Sequence, residues 1–301
     1  MINAQRNTPL FQQEWTGKGE RGIRDFLLIP AVFFGAVSPG LYLSSLLTGY
    51  RAGCWISLVM NFFGYGITHL LFLGRMERFW RALMNWKTSW ISRGFLFNAF
   101  FTGFGILYSV ASSGTGRNIG AASITDGLAV LSAVSALLFA AYPGFMLSTV
   151  KAIPFWRSAL EPVIFFLQGL LGGTAIQICL ASVVPLEASI AAALVKLNYA
   201  LALAVLLLIL AALAFKAHHG GIERQSVASL TIGHFSAVFL IGALGLGLLA
   251  PVLLLTVGLI VPLDIGTHAF LYYGVMVLEL GGIYTAKYGI LRAGAYSPIR
   301  P

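Results

Sequence analysis

The chain has 301 residues, of which 58% are hydrophobic and 10% charged, with 19 Lys and Arg against 10 Asp and Glu and a formal net charge of +9. Globular domains average about a quarter charged residues, so this balance excludes a soluble fold and predicts an all-α, polytopic membrane protein in contact with lipid. The basic excess then belongs at a membrane surface and is not a nucleic-acid footprint.

Residues 1–24 are polar and form an N-terminal segment carrying Arg6, Lys18, Arg21 and Arg24. No cleavable leader is predicted, because the first apolar run is already full length. Eight apolar runs follow at 25–46, 53–73, 94–112, 126–150, 162–184, 188–215, 235–260 and 265–288. Each is near the roughly twenty residues that cross a bilayer, so residues 25–288 read as an eight-helix transmembrane domain and 289–301 as a tail. The links at 48–53, 184–187 and 262–266 are short and make their flanking helices antiparallel neighbours. The links 113–125 and 216–232 read as a flexible Gly/Ser loop and a polar loop with His218 and His219.

The stretch from Gly74 to Gly94 differs from the other links. Arg75, Arg78 and Arg81 recur every third residue, Phe79, Leu83 and Trp86 form an opposing stripe, and Lys87 and Arg93 add charge. That pattern predicts an amphipathic helix lying in the interface, its tryptophans at headgroup depth. It sets topology, and it also offers a docking surface to an acidic partner through Arg75, Arg78, Arg81 and Arg93. Of the 19 basic residues, all but Arg51, Arg117 and Lys196 fall on one side of an eight-span bundle, and the positive-inside rule makes that side, with both termini, cytoplasmic.

Ionisable residues inside spans are functional candidates by default. Glu279 lies mid-way along the eighth run and Lys196 a third of the way along the sixth, so the two read as a polar proton path or a buried pair. Lys196 alone can instead snorkel to the nearer interface. His69 and His234 lie near the basic face and can titrate near neutral pH. Cys54 and Cys179 have no partner motif, so neither a disulfide nor a metal site is expected. AVSPGLYLSS at 36–45 and AAYPGFMLST at 140–149 share a Pro-Gly step, predicted to loosen both helices and to leave the Tyr142 hydroxyl beside an opened backbone. Matching interruptions of this kind also suit a transporter of a small molecule or ion.

Three segments carry a resemblance. LGRMERFWRALMNWKTSWISRG, AYPGFMLSTVKAIPFWRSALEPVIFFLQGLLGG and LGGIYTAKYGILRAGAYSP occur in that order. They resemble the signatures of the NrfD-like membrane-anchor subunits of polysulfide, DMSO and related molybdopterin oxidoreductases. The resemblance implies a quinone-reactive subunit, binding menaquinone or ubiquinone in a bacterial or archaeal inner membrane and holding no metal of its own. It also implies an iron–sulfur partner and a molybdopterin catalytic subunit. Tyr142 matches the signature tyrosine of the quinone pocket, Trp156 belongs to the adjoining K-x-x-P-x-W loop, and Trp90 to the docking signature. Met76, Phe72 and Lys287 depart from the residues common there, as do Arg24 and Asp25 entering the first span. A passive anchor without a quinone site, like the transporter, stands as an alternative.

Overall fold

The computed structural model describes residues 20–73, 80–81, 84–113, 119–260 and 264–295. Among the described residues, eight helical spans are long and apolar enough to cross a membrane, and the chain is a multi-pass membrane protein. They run Leu27–Leu47, Arg51–Phe72, Trp90–Ser113, Ile124–Ser148, Leu160–Ala181, Ala188–His219, Ala237–Ile260 and Ala269–Ala293. Every expected run holds one of them.

The first and fifth spans form the centre. In each, 67% of the most apolar stretch is buried inside the bundle, against 22% for the second and third spans, whose outer faces meet lipid. The sequence supplies the reason at small residues. A side chain at Gly40 would collide with the backbone at Gly169, and one at Gly173 with the backbone of Gly40 and Leu41. In lipid, apolar side chains gain little by leaving their surroundings, so helices associate where small residues let backbones touch. Gly247 and Gly282 do the same for the seventh and eighth spans. Each helix also runs unbroken through its Pro-Gly step, from Glu20 to Leu47 and from Ile119 to Ser148. Gly40 and Gly144 are used for packing, the latter against Glu161 and Pro162, and not for an interruption.

Spans two to four gather on one side of the first span, and six to eight on the far side of the fifth. Two stretches have π-helical bonding, Asn61–Ile67 in the second span and Ala237–Leu249 in the seventh. The expected 216–232 loop is largely helical. The sixth span continues to His219, Gly220 and Gly221 turn the chain at φ 75° and 59°, and a helix occupies Gly221–Thr231. Positive φ is open to glycine without a Cβ clash, and that pair is what separates the two helices.

Of the amphipathic stretch, Arg75 and Arg78 lie outside the described residues. Trp80 and Arg81 form a short 3₁₀ turn, and Met84–Thr88 is a turn leading into the third span.

Candidate functional site

Tyr142 sits about 9 Å, or six residues of rise, from the helix end at Ser148, on the side of the bundle that carries the basic loops. Its ring is buried and stacks on Phe139, with centroids 5.7 Å apart. Gly94, at the start of the third span, is the residue that makes room. Any Cβ there would run into the Tyr142 ring. On the second span, Tyr65 projects from the π-helical stretch, and its hydroxyl lies 3.3 Å from that of Tyr142. The Tyr65 ring meets Phe139 edge-on at 4.9 Å and stacks on His69 at 5.1 Å, nearly parallel at 16°.

Three polar aromatic residues from two spans thus form a chain from Tyr142 through Tyr65 to half-buried His69. The pair of phenols holds two O–H protons and makes one hydrogen bond between them, so one proton has no phenol acceptor. Tyr65 was missed by sequence reasoning. The signal available was a tyrosine four residues before His69, but only the π-helical register and the fourth span's approach give it a role.

The other expected members of this group lie elsewhere. Trp156 is in the 3₁₀ turn Pro154–Trp156, where its indole N–H donates to the Ile290 carbonyl at 2.9 Å. It locks the 151–159 link onto the end of the eighth span. His234 is exposed, edge-on to Phe235 at 5.2 Å, before a seventh span that packs on the sixth and eighth and not on the fourth. His234 was grouped with Tyr142 for lying near the same face, but a face is wide, and Trp156 for its place in the signature loop. Only Tyr142 and His69 come together.

Glu279 and Lys196 are likewise apart. Glu279 is fully buried and its Oε2 accepts from Asn198 Nδ2 at 3.0 Å, while Asn198 also reaches Thr174 at 3.0 Å. Lys196 is exposed on the same helix as Asn198. Two positions along a helix turn a side chain by about 200°, so Asn198 points inward and Lys196 outward.

Sequence reasoning also assigned Lys216 and Lys287 to the surface belt, and the fold buries both. Lys216 donates to Glu161 Oε1 at 2.5 Å and lies 4.4 Å from the Phe155 ring centroid. Lys287 is fully buried, with its Nζ 3.7 Å from the Phe165 ring centroid and close enough to Glu161 to interact with its charge. Lys287 Nζ and Glu161 Oε2 have no hydrogen-bond partner. A cavity of about 20 Å³ beside Glu161 and Lys216 is large enough for one water, given that about 10–15 Å³ suffices.

At the surface, Trp90 stacks on Phe145 at 5.0 Å and 6°. The Arg93 guanidinium lies 4.8 Å from the Trp90 ring and donates to the carbonyls of Trp86 and Lys87, at 3.0 and 2.6 Å. Arg93 therefore holds the loop in shape. Arg81 is exposed, 5.5 Å from the Trp80 ring. Among the described residues, no group of three His, Cys, Asp or Glu could hold a metal ion.

Residues 16–298 match the model of the family described as polysulphide reductase, NrfD. Protein NrfD of Escherichia coli strain K12 is 30% identical over 133 residues, a match covering 42% of this chain and 42% of that protein. The aligned part is less than half the length of that relative.

Proposed function

This chain belongs to the NrfD polysulphide reductase family, and on that premise we propose that it is the quinone-reactive membrane anchor of a multisubunit oxidoreductase. It exchanges electrons between the membrane quinone pool, menaquinone or ubiquinone, and an iron–sulfur subunit docked on its basic face, which in turn serves a molybdopterin catalytic subunit. The observation that carries this reading is the hydroxyl pair of Tyr65 and Tyr142, with one proton left over, backed by His69.

A quinone site needs an apolar slot and hydrogen bonds to the ring oxygens, and a route for protons when two electrons move. The residues supply the polar part of those needs. The free phenol proton is a donor for a quinone oxygen, His69 stands between the phenols and the basic face, and Phe139 packs the two tyrosine rings in place. The quinone itself supplies the redox chemistry. Tyr142 orients it, Tyr65 holds the Tyr142 hydroxyl, and His69 is the group that trades protons with solvent. On the surface, Arg81 and Trp90 present charge and a flat ring to the partner, with Arg93 fixing the loop between them and Arg75 and Arg78 extending the same basic stretch.

Tyr142→Phe tests the reading, because it removes one oxygen and keeps the stacked ring. Quinone-linked turnover of the whole complex should fall about 100-fold or more, the size of a lost proton or hydrogen-bond donor at a reacting group. Tyr65→Phe should give a smaller loss. Turnover with a soluble dye that meets the catalytic subunit directly should survive both. Unchanged quinone-linked turnover would remove the pair from the site and leave a passive anchor, and equal loss with quinone and dye would assign it to folding.

A further inference from the structure

On the side of the bundle away from the basic loops, the sixth, seventh and eighth spans part around a cavity of about 470 Å³. Ala191, Val195 and Leu259 give it an apolar wall, and its polar members are Lys196, Asp264 and Tyr272. Lys196 lies eight residues into its span, about 12 Å along the axis from Ala188. Asp264 stands in the link ahead of the eighth span. A 32-residue helix is about 48 Å long and overshoots a hydrocarbon core of about 30 Å by about 9 Å at each end, so the Lys196 backbone lies just inside the core and its long side chain can reach the headgroup boundary.

Two features of the cavity point to a ligand. Lys196 is exposed into the cavity and makes no hydrogen bond or ion pair among the described residues. Asp264 lines the same cavity with the opposite charge, yet the two make no ion pair with each other. The Asp264 carboxylate takes the Thr267 amide and hydroxyl on Oδ2, at 2.9 and 3.1 Å, and so is held in place by its own turn. A simple anion drawn to Lys196 would be opposed by Asp264, and a simple cation drawn to Asp264 by Lys196. A ligand carrying both charges satisfies both.

We propose that this cavity binds an aminophospholipid of the ethanolamine type, its phosphate on Lys196, its primary ammonium on Asp264 and an acyl chain along Val195 and Leu259. Charge-assisted hydrogen bonds give the selectivity. A primary ammonium donates to Asp264, the quaternary ammonium of a choline lipid has no N–H to donate, and a glycerol headgroup has no cation.

The full chain, purified in detergent and stripped of lipid, can be titrated with dioleoyl phosphatidylethanolamine, phosphatidylcholine and phosphatidylglycerol and read by native mass spectrometry. The ethanolamine lipid should be retained at least about tenfold over the other two, the effect of roughly one charge-assisted hydrogen bond. Asp264→Asn should equalise ethanolamine and choline lipids, and Lys196→Gln should bring all three to the detergent background. Ala191→Leu, which fills the cavity and leaves both charges, should abolish the excess without changing thermal unfolding. Equal retention of the three lipids by the wild type would overturn the proposal, as would an undiminished ethanolamine excess in Lys196→Gln. Full displacement of bound lipid by water-soluble phosphoethanolamine would also overturn it, by assigning the site to a soluble zwitterion.

Discussion

Glu161, Lys216 and Lys287 show how single residues change meaning once packed. The Glu161 carboxylate is ion-paired with Lys216, a third buried group, Lys287, lies near them beyond ion-pair distance, and each lysine lies over a phenylalanine ring. Removing one partner of a buried pair costs about 3–5 kcal/mol because the other charge is left without compensation. The three substitutions should therefore differ in a definite order. Glu161→Gln strands two cations and should lower thermal stability in detergent most. Lys216→Met should cost less, since Lys287 remains to face the carboxylate. The triple replacement by Gln, Met and Met should recover most of the loss. Equal destabilisation by the two single changes would show that Lys287 does not share the carboxylate.

At the scale of elements, the link before the eighth span carries a small pH-sensitive turn. Hydrogen bonds from the Thr267 amide and hydroxyl hold the Asp264 carboxyl below the usual carboxylate range. A carboxyl with a depressed folded pKa stabilises its turn at neutral pH and loses that contribution as pH falls through the folded value, which lies below 3.8. Exchange of the Thr267 amide should therefore be slow at pH 7 and speed up, beyond the intrinsic rate change, only under acid conditions below about pH 4. An onset well above about pH 4 would take the effect away from Asp264. The link at the start of the second span is fastened differently. Its Tyr50 hydroxyl donates to the carbonyls of Leu180 and Val184 at 3.0 and 3.2 Å, and burial pushes the phenol up.

For the molecule as a whole, the basic face can serve insertion or docking, and experiment separates the two. Burial of Lys216 and Lys287 takes two residues out of the surface belt, while Arg81, Lys87, Lys151, Arg157 and Arg224 are exposed. Reversing Arg78 and Arg81 to Glu should release the proposed iron–sulfur partner on co-purification, with the bundle's thermal unfolding unchanged. A complex that survives the double reversal moves docking away from this stretch. Sidedness is a separate matter. A reporter active only in the periplasm, fused after Pro301, should be silent if the charge distribution reports insertion. Strong activity would instead mean that the belt was shaped by docking.

Hydrophobic run length determined the membrane class and the eight spans, because crossing a bilayer demands about twenty apolar residues whatever the neighbours are. The ordered signature segments determined the family, and Tyr142 and His69 were legible as polar groups near one face. Which of those groups meet was decided only by tertiary packing. Glycine-lined contacts set the first and fifth spans at the centre and placed Tyr65 between Tyr142 and His69, while Trp156 and His234 went to the far half of the bundle. The inward turn of Lys216 and Lys287, and the outward turn of Lys196 away from Glu279, have the same origin. Sequence gives a side chain's depth along its span, but its direction depends on how neighbouring helices rotate to bury their small residues.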